Sequence, residues 1–566
     1  MIPTHHIHKL RCLLVALVAS CTAVVAHAAS LRIEAELFRV HLGGGAKDGH
    51  WSFYKNGQAG ECVEVSQSGR YHIIFWGHGS AVNGVGCQIA AIVDKKTVES
   101  LYIDDAPGRE YRLDIDLAAG LHTIELAFVN NASLGAEDRN AHIDAMEIRS
   151  ADPTARIALA DVEVWKKAWG ERTDAEEVSL LREADASIER IRKGDKIIAF
   201  VDVAGQPLAN ASVRIKLVNH SFLFGGNIYR FDRYTQARDN RLYKKRFREL
   251  FNFATVPFYW RPYEPEEGKP GYPYTDSIVA WCNENNIAMK GHPLLWDHPA
   301  GVPKWSTGQP DRARQESRVR EIMTRYAGII TYWEVVNEPA HTSAVPVDEP
   351  YRWARETDPT AHLSVNDYEV MATGFPPFYE LLEKAIADGL PFDGIGIQAH
   401  EPRAMRFPLP RIKEVLDKYA TLKKALYITE FTPTSSGKPI EGAHFEGNWD
   451  EAAQREYAVK FYIMCFAHPA VHGITWWDLS DDGAWLPGGG LLRDDLSPKP
   501  AYTALHDLIR VHWNTDIRAR SDAGGRLAFR GFHGQYEVSV KRNGRTKKQI
   551  VDLSPGVKSP ISVIFD

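Results

Sequence analysis

The sequence predicts a multidomain chain in which an antiparallel β-sandwich precedes a (β/α)8 TIM barrel and a small β-rich tail follows it. Three observations carry this expectation. From Leu31 to about Arg149 apolar and polar residues alternate with period two, as in the runs Tyr71 to Trp76, Tyr111 to Leu117 and His122 to Phe128, and glycine turns such as Gly43-Gly44-Gly45 separate them. Beyond Phe222 the rhythm changes to short β-type runs alternating with longer amphipathic segments, the pattern of a parallel sheet wrapped in helices. Eight such runs follow one another, the barrel number, over a span close to the ~250 residues typical of that fold.

Taken in order, residues 1–28 read as a secretory signal. His and Lys/Arg precede an apolar run from Cys12 to Ala26, and Ala26-His27-Ala28 is an A-x-A cleavage site. Val18-Ala19-Ser20-Cys21 offers a second reading, a lipoprotein box anchoring the chain through Cys21. Either way the expected location is secreted or periplasmic. Residues 29–150 form the sandwich. Residues 151–220 form a connector, with a charged helix from Glu176 to Lys193 and a hairpin-like pair, Lys196–Val203 and Ala211–Val218, around Gly205-Gln206-Pro207. Residues 221–512 are the barrel, with candidate strands Phe222–Ile228, Phe251–Val256, Ile287–Trp296, Ile330–Glu338, His362–Tyr368, Gly394–His400, Ala425–Phe431 and Gly473–Leu479. Residues 513–566 are the tail.

A net charge of -6, from 67 Lys plus Arg against 73 Asp plus Glu, gives no general pull toward nucleic acid or acidic membranes. No later stretch reaches the ~20 apolar residues of a membrane span. Aromatics make up 11% of the chain, and sugar clefts use such rings as stacking platforms. A neutral or weakly charged partner fits this balance better. Outside the signal stand Cys62, Cys87, Cys282 and Cys465: the first two could pair within the sandwich, and the second pair, in helical segments, reads as buried thiols.

Barrel enzymes carry their reactive groups at the C-terminal ends of strands. Two expected strands end in glutamate, the fourth in Asn337-Glu338-Pro339 and the seventh in Thr429-Glu430-Phe431. Strict alternation sets Trp333, Val335 and Asn337 on one face and Glu334, Val336 and Glu338 on the other, with barrel twist still able to bring Asn337 to the mouth. Two carboxyls ~5–5.5 Å apart across a glycosidic bond act as acid and nucleophile with retention of configuration. Mutual repulsion keeps the acid protonated.

From Arg246 to about Tyr502 the chain resembles glycoside hydrolase family 10, the β-xylanase family. The motifs are Gly291-His292-Pro293-Leu294-Leu295-Trp296, Trp333-Glu334-Val335-Val336-Asn337-Glu338, Gly394-Ile395-Gly396-Ile397-Gln398-Ala399-His400, Ile428-Thr429-Glu430 and Gly473-Ile474-Thr475-Trp476-Trp477, with Trp485 and Pro498-Lys499-Pro500-Ala501-Tyr502 following in order. The resemblance implies Glu338 as general acid/base, Glu430 as nucleophile, Asn337 on the substrate 2-hydroxyl, and His292, Trp296, Gln398, His400, Trp477 and Trp485 as substrate-binding or supporting groups, His400 steadying Glu430. No cofactor is expected for catalysis. The chain departs from the family where a Glu-Asn-Lys sugar grip usually stands: Thr255, Val256 and Tyr259 replace it. Trp296-Asp297-His298-Pro299 replaces Trp-His-x-Gln, and Leu479 stands where an aromatic is usual. The expected substrate is therefore a xylan-type chain met by a rebuilt glycone side, or a decorated xylan or other β-glycan, a non-catalytic polysaccharide-binding protein being the rival. The first domain resembles calcium-dependent carbohydrate-binding modules, with Ile33-Glu34-Ala35-Glu36 opening it and Asp138 to Asp144 closing it. That resemblance implies a structural Ca2+ at Glu34, Glu36 and Asp144, where hard oxygen donors suit the ion, and a second, ligand-binding ion served by Asp138.

Overall fold

The structure, a computed structural model, describes residues 29–134, 137–341, 345–400, 403–441, 445–542, 544–557 and 560–565. The expected signal, with Cys12 and Cys21, lies outside these residues. The chain divides into two compact units, meeting at Trp169 and Gly170. Among the described residues no helix is long and apolar enough to cross a membrane.

The first unit is built from two six-stranded antiparallel sheets. One orders Gly45–Lys47, His50–Phe53, Ala141–Ser150, Gly69–Gly79 and Arg109–Leu117, with Ser30–Glu34 also on Ala141–Ser150. The other orders Ile157–Leu159, Gly57–Val65, Gly120–Phe128, Cys87–Val93 and Lys96–Ile103, with Val40–Leu42 on Gly57–Val65. Period two turns alternate side chains inward, so Phe53, Tyr71, Ile73 and Phe75 of one sheet share a core with Ile89, Ile124, Leu126 and Phe128 of the other. The Cys62–Cys87 pairing that the sequence allows does not form. Cys87 lies in this inner core, whereas Cys62 faces outward against Trp165 and Trp169, so the two thiols sit on opposite faces of one sheet. Burial pushes both thiols up to about 12. Cys282 and Cys465 are buried free thiols as expected.

In the second unit all eight expected barrel strands form: β1 Leu223–Asn227, β2 Phe253–Pro257, β3 Ala288–His292, β4 Tyr332–Asn337, β5 His362–Asp367, β6 Gly394–Ile397, β7 Ala425–Phe431 and β8 Val471–Trp476. Each pairs in parallel with its sequence neighbour, and β1 pairs with β8, closing the ring. The expected run Ile287–Trp296 breaks at Pro293, which has no N–H to give, and the two-residue strand Leu295–Trp296 resumes alongside the end of β4.

The barrel interior is layered. At the N-terminal end the Tyr332 ring lies 5.3 Å from Phe253, 5.1 Å from His362 and 6.2 Å from Tyr427, an aromatic plug. Above it Lys290 and Glu334 form a buried ion pair at 3.0 Å, and His292 Nδ1 stands 2.8 Å from the other Glu334 oxygen. Burial alone would neutralise Glu334, but the charges of His292 and Lys290 hold its carboxyl low. Glu338 and Glu430 stand at the strand ends beyond this polar floor.

The connector and tail differ from their expected roles. Lys193–Asp202 and Ser212–His220 do not form a hairpin with each other. The first pairs with Arg526–Phe532 and Ile561–Phe565, the second with Asp516–Arg520 and Gly534–Arg542, and Arg545–Asp552 extends that second sheet. The tail is β-rich as expected, but its strands complete sheets begun some three hundred residues earlier. The inner faces explain the choice: Ile198, Phe200, Val213 and Ile215 find their apolar cover in Phe532, Tyr536, Val538 and Val563. The charged segment expected from Glu176 belongs to one longer helix, Val162–Ile191.

Candidate active site

Glu338 follows directly on β4. Its backbone is left-handed, with φ of 55°, and β4 slips register on β5 between Glu334 and Asn337. The slip breaks the alternation expected from sequence. Glu334 stays in the barrel floor, while Asn337 and Glu338 both reach the mouth. Left-handed backbone at a non-glycine residue costs free energy, and such strain gathers at functional sites. Glu338 Oε2 accepts from Trp296 Nε1 at 2.9 Å and Oε1 from Gln398 Nε2 at 2.7 Å. Its pKa is nevertheless raised to about 8, first by burial and then by the charge of Asp367, with Glu430 adding to the effect and the Gln398 bond opposing it. A carboxyl that keeps its proton near neutral pH is suited to general acid work.

Glu430, next to last in β7, is braced at both carboxyl oxygens. Asn366 Nδ2 donates to Oε1 at 2.9 Å, and His400 Nε2 lies 2.7 Å from Oε2. His400 Nδ1 meets the Thr432 hydroxyl at 3.0 Å, which fixes the ring. Asn366 also donates to Asn337 Oδ1 at 3.1 Å and accepts from the Thr429 hydroxyl at 2.5 Å. The neighbouring strand makes room for it: a Cβ on Gly396 of β6 would stand 2.5 Å from Asn366 Oδ1. Asn366 was not singled out from sequence, although its place at the end of a barrel strand was the available signal.

All seven expected substrate-binding groups gather around this pair. Trp296, Gln398 and His400 touch it as described, and Asn337 is linked to it through Asn366. Trp477 is buried, with its ring 5.4 Å from His292, 5.7 Å from His400 and 5.5 Å from Tyr229. Trp485 is 49% exposed, its ring 4.5 Å from His400 and its backbone N–H donating to the buried Asp478 at 2.9 Å. His292 Nε2 is 3.0 Å from the Tyr259 hydroxyl. Of the replaced motif only Tyr259 faces the cleft: Phe258 and Trp260 are core residues, and Thr255 and Val256 are fully buried. Tyr229, also missed from sequence, sets its ring 5.8 Å from Tyr259. His298 stacks on Trp296 at 4.0 Å.

The three carboxylates expected to hold calcium lie where the first and last strands of the unit pair, Glu34 facing Ala145, the neighbour of Asp144. Glu34 ends its strand and pairs with Arg32 at 3.1 Å, Glu36 lies beyond it in the 3-10 turn Ala35–Leu37, and Asp144 sits at a bulge in Ala141–Ser150. Among the described residues the group of three His/Cys/Asp/Glu ligand atoms within 4.8 Å of one another is His292, Glu334 and Glu430, inside the barrel.

A closed parallel barrel with two glutamates at the ends of β4 and β7, one raised in pKa by burial and one held at both oxygens by Asn366 and His400, has the layout of barrel glycoside hydrolases. The model of glycosyl hydrolase family 10 matches residues 216–508, and the chain belongs to that family. Endo-1,4-beta-xylanase 2 of Arabidopsis thaliana is 28% identical over 399 residues, which cover 66% of this chain and 35% of that protein. Anti-sigma-I factor RsgI6 of Acetivibrio thermocellus is 26% identical over 383 residues, 65% of this chain and 48% of its own. The chain thus spans less than half the length of these curated relatives. Xylanase 10B from Thermotoga petrophila RKU-1, solved in complex with xylobiose, aligns with a TM-score of 0.43 and 24% identity over 51% of this chain and 94% of that one.

Proposed function

We propose that the protein is a secreted, retaining glycoside hydrolase that cleaves β-1,4-linked xylan-type polysaccharide by double displacement. The observation that carries this reading is the contrast between the two glutamates: Glu338 raised to about 8 by burial, and Glu430 braced by Asn366 and His400. Glu338 protonates the leaving oxygen while Glu430 attacks the anomeric carbon. A water, deprotonated by Glu338, then releases the sugar from Glu430. The name of the Arabidopsis relative supports the substrate class. In the test, Glu430→Ala abolishes hydrolysis of every substrate, whereas Glu338→Ala spares aryl glycosides whose leaving groups need little protonation. Inverted product, or full activity in Glu430→Ala, overturns the assignment.

A second reading, the same chemistry on a substituted xylan or another β-glycan, is favoured by Tyr229 and Tyr259 on the rebuilt glycone side. For the first unit, motif resemblance supports carbohydrate binding with a structural Ca2+ near Glu34, Glu36 and Asp144. Backbone carbonyls could complete the oxygen ligand set that such an ion takes.

A further inference from the structure

Arg403 lies on the loop after β6, beyond His400. Its guanidinium carbon stands 4.7 Å from the centre of the Trp485 ring, and Trp485 in turn is 4.5 Å from His400, the residue that holds Glu430. The side chain is exposed, and among the described residues it meets no carboxylate. Other arginines near the barrel mouth are spent: Arg230 pairs with Asp482, and Arg314 with Glu264. The Arg403 charge also reaches Tyr368, on the loop after β5 and stacked 3.5 Å over His341. Among the described residues Arg403 is thus a cation with no carboxylate partner, one ring away from the residue that holds Glu430.

We propose that Arg403, held on the face of Trp485, recognises a carboxylate substituent on the glycan, so that the preferred substrate is a β-glycan carrying uronic acid branches. This rests on the hydrolase reading above. The chemistry is that of a planar guanidinium: stacking on an aromatic face leaves its N–H edges directed outward, and their spacing matches the two oxygens of a carboxylate. A neutral sugar hydroxyl gains less from such a donor, because it carries no charge to share. Trp485 contributes twice, as the surface that orients the guanidinium and as a platform for the sugar ring beside it.

The test uses the full chain and three xylo-oligosaccharides of one backbone: unsubstituted, bearing one glucuronic acid, and bearing the same branch with its carboxyl reduced to the alcohol. Wild type is expected to show kcat/KM about tenfold higher for the acid than for its reduced twin, with the ratio shrinking as salt rises. Arg403→Gln brings the ratio to unity, and Arg403→Lys keeps part of it through charge without the planar fork. Equal kcat/KM for acid and alcohol in wild type, or an unchanged ratio in Arg403→Gln, overturns the proposal while leaving the hydrolase reading intact. If none of the three is cleaved, the hydrolase reading fails. Calorimetric binding of the acid and the alcohol to the Glu430→Ala chain then decides the inference separately: preferential binding of the acid supports it, and equal affinity overturns it.

Discussion

Replacing Glu338 by Gln is expected to stabilise the protein, and by an amount that grows with pH. In the folded state burial and Asp367 raise the carboxyl from 4.5 to about 8, while in the unfolded chain it titrates normally. Between those values the folded form holds a proton that the unfolded form has released. Unfolding stability therefore falls as pH rises from 4.5 to about 8 and is flat outside that window, as far as this group is concerned. At 1.36 kcal/mol per unit the full shift sets a ceiling of about 5 kcal/mol, and relaxation of a functional cleft makes about 2–4 kcal/mol the working figure. A glutamine has no charge to desolvate. Its carbonyl accepts from Trp296, and its amide donates to Gln398 once that side chain turns its oxygen inward. Urea unfolding of wild type and Glu338→Gln at pH 4, 7 and 9 should show near-equal stability at pH 4 and a growing advantage for the variant above it. A pH-independent difference, or a variant less stable at pH 9, would falsify the account of a buried, protonated acid.

Four further outcomes follow from the same geometry. Gly396→Ala pushes a methyl group against Asn366, loosens its grip on Glu430 and should lower kcat about tenfold or more with little change in stability; unchanged kcat would show that Asn366 does not position the nucleophile. Tyr259 cannot reproduce the charge-assisted bonds of a Glu-Asn-Lys grip, each worth roughly 1–3 kcal/mol, so kcat/KM on plain linear xylan should fall below that on a substituted xylan or a mixed β-glucan, and a clear preference for the plain chain refutes this. The alkaline limb of kcat/KM should lie near pH 8, where Glu338 loses its proton, and should move upward in Gln398→Leu because a bond favouring the anion is gone; a limb that stays put contradicts the assignment. A Ca2+ in the first unit would make a melting transition of the full chain fall with chelator and recover with Ca2+; identical melting in both rules the ion out.

Much of this protein is legible from its chain alone, for reasons that are local. The period-two sandwich and the β–α alternation of the barrel depend on residues close in sequence, so the eight strands stand within a few residues of expectation. The two glutamates declare themselves because strand ends on one side of a barrel form its mouth. What sequence could not decide depends on burial and distant partners. Strict alternation places Glu334 and Glu338 alike, and only the register slip at β4 and the left-handed turn separate a floor carboxylate from a mouth acid. Asn366 becomes the brace of Glu430 only because Gly396 leaves space beside it. Cys62 and Cys87 look like a bridge until the sheet sends them to opposite faces. The segments from 193 to 220 and from 516 to 565 carry no mark of each other, yet they pair, because an apolar strand face must be covered by whatever the closed barrel brings next to it. Sequence thus determined the elements and the residue types they carry; tertiary structure decided which groups lose water and which charges they face, and with that the contrast between Glu338 and Glu430 on which the proposed roles rest.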